Sequence, residues 1–93
     1  MQKGALVFNV TTANGAIPLE GATVLVFENN NMSLGITDKS GRTPPMEFEI
    51  KNESTPYIYA SAKIFLNGYK TIFLDDIVIY PNTKFIRIVN LYR

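Results

Sequence analysis

The stretch Pro18-Leu19-Glu20-Gly21-Ala22 separates two extended runs, Gly4–Thr12 (GALVFNVTT) and Thr23–Glu28 (TVLVFE). Proline fixes φ and has no N–H to give a ladder, so it sits where a strand begins or at an edge. The glycine three residues on permits a kink or a close backbone approach, and β-branched Thr23 and Val24 then resume a strand. A chain that runs strand, bend, strand here is built from sheets.

Upstream of that bend, Leu6, Phe8 and Val10 share one face of the first run, and Ala5, Val7 and Asn9 share the other. Ala13-Asn14-Gly15-Ala16 is a turn whose Asn-Gly pair tolerates positive φ. Downstream, Val24, Val26 and Glu28 fall on one side of the second run, with Leu25 and Phe27 on the other. Glu28-Asn29-Asn30-Asn31 is a polar loop tip, and Met32–Thr37 is a short strand around Leu34 and Ile36. In Asp38-Lys39-Ser40-Gly41, Asp38 bonds its own backbone and Gly41 takes the left-handed conformation of a turn. Pro44-Pro45 rules out a central strand at that point.

Met46–Ile50 alternates cleanly, with Met46, Phe48 and Ile50 inward and Glu47 and Glu49 on a wet face. Lys51–Pro56 is a polar loop, and Tyr57–Leu66 is the longest run. Asn67-Gly68-Tyr69 turns it into Lys70–Tyr80, where Asp75-Asp76 marks a bend or a break. Pro81-Asn82 is the last turn, and Thr83–Leu91 closes the chain. No amphipathic helix pattern emerges. Seven or eight strands, with turns about every six to twelve residues, predict an all-β, seven- to eight-stranded Greek-key β-sandwich, with a small barrel as the competitor.

At 93 residues the chain has room for one domain, residues 1–93. Hydrophobic residues make up 46% and charged residues 18%, which suits a packed core and not disorder. Nine basic and eight acidic residues leave a net charge of +1, without the basic excess a nucleic-acid or anionic-membrane surface needs. No window holds about 18 consecutive apolar residues, so membrane insertion is not expected. Met1-Gln2-Lys3-Gly4 lacks the apolar run and cleavage site of a secretory signal, so an extracytoplasmic or spore-associated place is expected only for a longer parent protein. Cysteine and histidine are both absent. That removes disulfides, thiolate metal sites, the commonest catalytic base and the commonest metal ligand, so neither metal nor cofactor is expected.

The order of Gly15, Pro18-Leu19-Glu20-Gly21-Ala22-Thr23-Val24, Thr37-Asp38 with Gly41, Pro56-Tyr57 and Gly68-Tyr69 covers most of the chain. It resembles the carboxypeptidase regulatory-like, transthyretin-like (prealbumin-like) β-sandwiches and the related Cna B-type repeats of Gram-positive surface proteins. The resemblance implies a Greek-key sandwich that serves as an accessory or structural module. Gly15–Ala22, Thr43-Pro44-Pro45, Pro56-Tyr57 and Asp76–Tyr80 look like the version found in Firmicutes beside spore-cortex or cell-wall hydrolases.

Enzymatic and covalent chemistries fare poorly. The transthyretin-like hydrolase acting on 5-hydroxyisourate resembles a histidine and arginine site with a Tyr-Arg-Gly-Ser tail. This chain ends Leu91-Tyr92-Arg93 and has no histidine. The Cna B-type isopeptide bond joins a first-strand lysine to a last-strand Asn beside a buried acid. Here Val10 takes the lysine's place, Lys3 lies too early, and only Asn90 with Glu47 or Glu49 would fit the other roles. Asp75 and Asp76 are adjacent and point apart on a strand, Glu47 and Glu49 suit a solvated surface, and the Ser residues have no histidine to activate them. Asp38 is one carboxylate where calcium wants several oxygen ligands. No enzymatic activity is expected.

The expected function is a non-catalytic module for binding, spacing or docking in a bacterial cell-envelope or spore-associated protein. The alternative is a homo-oligomeric structural or assembly protein, virion-type decoration included. Tyr57, Tyr59 and Tyr69 are the candidate contacts, for a protein partner or a cell-wall glycan, because tyrosine rings give large contact area at low entropy cost. Apolar residues on both faces of Tyr57–Leu66 and Thr83–Leu91 point to a homodimer interface.

Overall fold

A computed structural model of the chain describes residues 2–29, 31–50 and 57–93. The polar loop expected at Lys51–Pro56, the Pro56 of the Pro56-Tyr57 motif and Asn30 of the loop tip lie outside the described residues. Among the described residues eight strands follow one another: β1 (Gln2–Thr12), β2 (Ile17–Pro18), β3 (Thr23–Glu28), β4 (Asn31–Ile36), β5 (Met46–Ile50), β6 (Ile58–Phe65), β7 (Ile72–Ile79) and β8 (Lys84–Asn90). No helix occurs among the described residues.

The first sheet is assembled around β1, which serves different partners along its length. Its start pairs antiparallel with β5, from Gln2↔Ile50 to Leu6↔Met46, and its end pairs with β2 at Thr11↔Pro18 and Thr12↔Ile17. Ala5 through Thr11 pair in parallel with Lys84 through Asn90 of β8. Ala5 and Leu6 have partners in both β5 and β8, so those two strands flank β1 on opposite edges. Residues 41–43 fill the gap between β5 and β2. The Thr43 amide donates to the Phe8 carbonyl at 2.9 Å, the Phe8 amide to Thr43 Oγ1 at 3.0 Å, and the Val10 amide to the Gly41 carbonyl at 2.7 Å. Pro44 and Pro45, which have no amide to give, follow outside any strand.

The second sheet is antiparallel throughout, in the order β4-β3-β6-β7. Alternation decides what lies between the layers. Leu6, Phe8 and Val10 of β1, with Met46, Phe48 and Ile50 of β5, face Val24 and Val26 of β3 and Ala60, Ala62 and Ile64 of β6. Ile77, Ile79, Val89 and Leu91 complete this core, together with Leu19 and Ala22 of the opening bend. Each large side chain fully buried here, Phe8 for one, contributes about 1.5–3 kcal/mol relative to exposure. The chain is thus an all-β, eight-stranded sandwich.

Three local features add detail that the sequence pattern does not carry. The two-residue β2 is too short to carry a hydropathy pattern. The closing strand β8 runs parallel to β1, a pairing set by the crossover between layers and by no local signal. The Asp75-Asp76 pair marks the bend, and not the break, of the two outcomes expected there. Pairing slips between Ala60↔Ile77 and Ala62↔Leu74, so two residues of β7 stand opposite one of β6 in a bulge, with Asp76 left-handed at φ 56°.

Gly4 lets the layers close at one end. A Cβ there would collide with the Tyr80 carbonyl oxygen and lie 2.6 Å from Ile79 Cγ2. The anticipated turn chemistry is present: Asp38 Oδ1 accepts from the Ser40 amide (2.9 Å), the Ser40 hydroxyl (2.7 Å) and the Arg42 amide (3.1 Å), and Gly41 has φ 82°.

Candidate functional site: the uncovered face of the four-stranded sheet

The outer faces of the two sheets differ in kind. That of the first sheet is mixed: Lys3, Glu47 and Glu49 lie on it, with Lys3 paired to Glu49 and Ala5 to Glu47 across the ladder, and exposed Ile86 and Ile88 of β8 stand at its other edge. That of the second sheet is oily. Because Val24 and Val26 point into the core, Thr23, Leu25 and Phe27 point out, and the antiparallel register extends this choice across all four strands. Leu34, Leu25, Lys63 and Phe73 form one row from edge to edge, beside Met32–Phe27–Ser61 and Ile36–Thr23–Phe65.

Met32, Leu34 and Ile36 are each more than half exposed, Phe27 is 41% exposed and Phe73 70%. The Lys63 ammonium lies 5.3 Å from the Phe65 ring centroid and 5.8 Å from that of Phe73. The rings hold the cation within the apolar face instead of letting it swing into water.

Tyr57 and Tyr59 sit at one end of the same face. Their rings meet edge to face at 5.4 Å, and contacts continue from Tyr57 to Tyr80 (5.7 Å) and from Tyr80 to Phe85 (5.9 Å). Tyr59 is exposed and Tyr57 half-buried. A hydrogen bond with Tyr57 raises the Tyr59 phenol above its ordinary value, helped by charge repulsion from Tyr57 and, more weakly, from Asp76.

Tyr69 is elsewhere. It lies past the far end of β6, roughly 20 Å from Tyr59 at the rise of an extended strand. There it packs against the core, its hydroxyl is 3.4 Å from the Arg93 guanidinium that donates to it, and that guanidinium sits 5.1 Å from the ring centroid. With Phe65, Asn67 and Thr71 it lines an open hollow of about 520 Å³. Of the three candidate tyrosines, Tyr57 and Tyr59 thus form a pair and Tyr69 stands apart as a ring packed against the core.

The residues that sequence reasoning passed over are Met32, Leu34, Ile36, Phe27 and Phe73. Hydropathy showed them as strand residues and could not show which side the core would take. Tyr57–Leu66 and Thr83–Leu91, where a surplus of apolar surface was expected, do expose Tyr59, Phe85, Ile86 and Ile88, and β3, β4 and β7 add the rest.

Among the described residues, Lys3 and Asn90 are not placed to form an isopeptide bond. Val10 is fully buried opposite Val89, which leaves Asn90 on the outer face of the first sheet beside Thr11. Lys3 and the Asn90 position are separated by eight residues of β1, roughly 26 Å. Among the described residues the buried polar side chains are Thr11, Thr37 and Thr43, and no group of three metal-ligating side chains occurs.

No family model matches the chain, and no curated protein does. Among solved structures, it is similar in fold to a part of the Bacillus anthracis TIE protein, with a TM-score of 0.70 and 16% sequence identity over 99% of this chain. The match spans 17% of that much longer chain, and at this identity the likeness is one of fold.

Proposed function

We propose that this chain is a non-catalytic accessory module that docks on a protein surface, in a cell-envelope or spore-associated setting. The observation that supports the reading is the registered apolar outer face of the four-stranded sheet, from Met32, Leu34 and Ile36 to Phe73. A contiguous apolar face of this kind marks an interaction site, whereas single exposed apolar residues do not. It favours a protein over a glycan partner, because sugar recognition needs polar groups around each ring, and Thr23, Ser61 and Lys63 are the only polar side chains in the three paired rows.

The test is a stability comparison with a binding control. The double variant Leu34→Lys, Phe73→Lys, studied as dilute protein, should melt within a few degrees of the parent, since neither side chain fills the core. A collapse of its fold would show these residues to be structural and would remove the docking reading. Tyr59-dependent pelleting with purified cell-wall sacculi would replace the protein partner with a glycan.

A further inference from the structure

We infer that the occupant of this face is a second copy of the same chain, stacked sheet to sheet. The inference rests on the docking reading above and adds the identity of the partner.

Three observations lead to it. The exposed parts of Met32, Leu34, Ile36, Phe27 and Phe73 together present on the order of 500 Å² of apolar surface, near the upper end for the largest patch on a monomer. With the half-buried Leu25, Phe65 and Lys63 between them, the face approaches the ~800 Å² per partner of a standard interface. Its chemistry is that of a homodimer core, which is more apolar than transient interfaces and poor in charge. Its shape is also matched by construction: two copies of one twisted sheet carry the same twist and stack aligned at about 30°.

A two-fold axis must lie in the plane between two stacked faces. Run along the strands beneath the middle of the sheet, it sets β4 of one copy over β7 of the other. Leu34 then rests on Phe73 of the second copy, and Leu25 on the aliphatic stem of its Lys63. Every member of the row Leu34–Leu25–Lys63–Phe73 gains an apolar neighbour.

The free edge of β8 is a poorer route to self-association. Phe85, Ile86 and Ile88 are exposed on it, but so are Lys84 and Arg87 with no carboxylate between them, and an antiparallel β8–β8 pair centred on Arg87 would set like charges opposite each other. Lys63 keeps the face-to-face dimer weak, since covering its ammonium removes water that the two rings replace only in part.

Sedimentation equilibrium of the whole chain tests this. The parent should show a concentration-dependent monomer–dimer equilibrium, weakened tenfold or more by Leu34→Lys or by Phe73→Lys. Ile88→Lys on β8 should leave it unchanged, and Lys63→Met should tighten it. A parent that stays monomeric at its highest soluble concentration, or a dimer that Ile88→Lys dissolves and Leu34→Lys does not, overturns the inference. The docking reading would survive either result; it falls to the two outcomes named for it above, a double variant that cannot fold or Tyr59-dependent pelleting with sacculi.

Discussion

The hydroxyl of Thr37 donates to the carbonyl of Leu19 at 2.7 Å, across a buried gap of eighteen residues in sequence. The same oxygen accepts from the Ala22 amide at 2.9 Å, while the backbone of Thr37 bonds Gly21 and Ala22 at 3.0 Å each. The bend between β2 and β3 is thus held by one threonine beyond the end of β4. Thr37→Val keeps the shape and leaves a buried carbonyl and a buried amide without that partner, so chemical denaturation should show a loss of about 1–3 kcal/mol. Thr37→Ser should retain most of the stability.

Gly4→Ala should destabilise by about 1–3 kcal/mol, the usual cost of forcing an extra methyl into a packed site. The obstacle is the Tyr80 carbonyl, which is backbone and cannot rotate away. An unchanged melting temperature would show that β1 and the end of β7 do not meet at Gly4 and Tyr80.

Asp38 makes the turn sensitive to acid. Its hydrogen bond from the Ser40 hydroxyl, then that from the Arg42 amide, lower its carboxyl below the ordinary 3.8. Stability from a depressed acid is present above the unfolded value and is lost as pH falls through the folded one. Asp38→Asn, which is neutral at every pH, should therefore lower stability at neutral pH and flatten the acid limb, so that parent and variant converge below about pH 4. Equal acid sensitivity in parent and variant would assign that limb to other carboxylates.

Tyr59 behaves in the opposite sense. Its pKa lies above the ordinary 10.0, chiefly through the hydrogen bond with Tyr57, so its contribution is present below pH 10.0 and is lost as pH rises through the folded value. Ultraviolet titration should find one phenol ionising late, and Tyr57→Phe should bring it down. If the late step keeps its midpoint in Tyr57→Phe, the two hydroxyls are not bonded.

What the sequence made legible is what a period of two can encode. Met46–Ile50 reads as three buried residues alternating with two exposed glutamates and folds that way. Thr23–Glu28 shows where the method stops: Val24 and Val26 go inward, Leu25 and Phe27 outward, and hydropathy ranks all four alike. The outer face was hidden because alternation disappears when both sides of a strand are apolar. Asp75-Asp76 was visible as an interruption, but a bulge and a break have the same local composition. The pairing of β8 with β1 depends on residues nearly eighty positions apart and leaves no local trace.

The most direct test of the central claim is the concentration dependence of backbone amide shifts in isotope-labelled protein. Shifts that move on concentration should map to β3, β4, β6 and β7 around Leu25, Leu34, Lys63 and Phe73, leaving Glu47, Glu49 and β8 still. Movement confined to β8 and the outer face of the first sheet would contradict it.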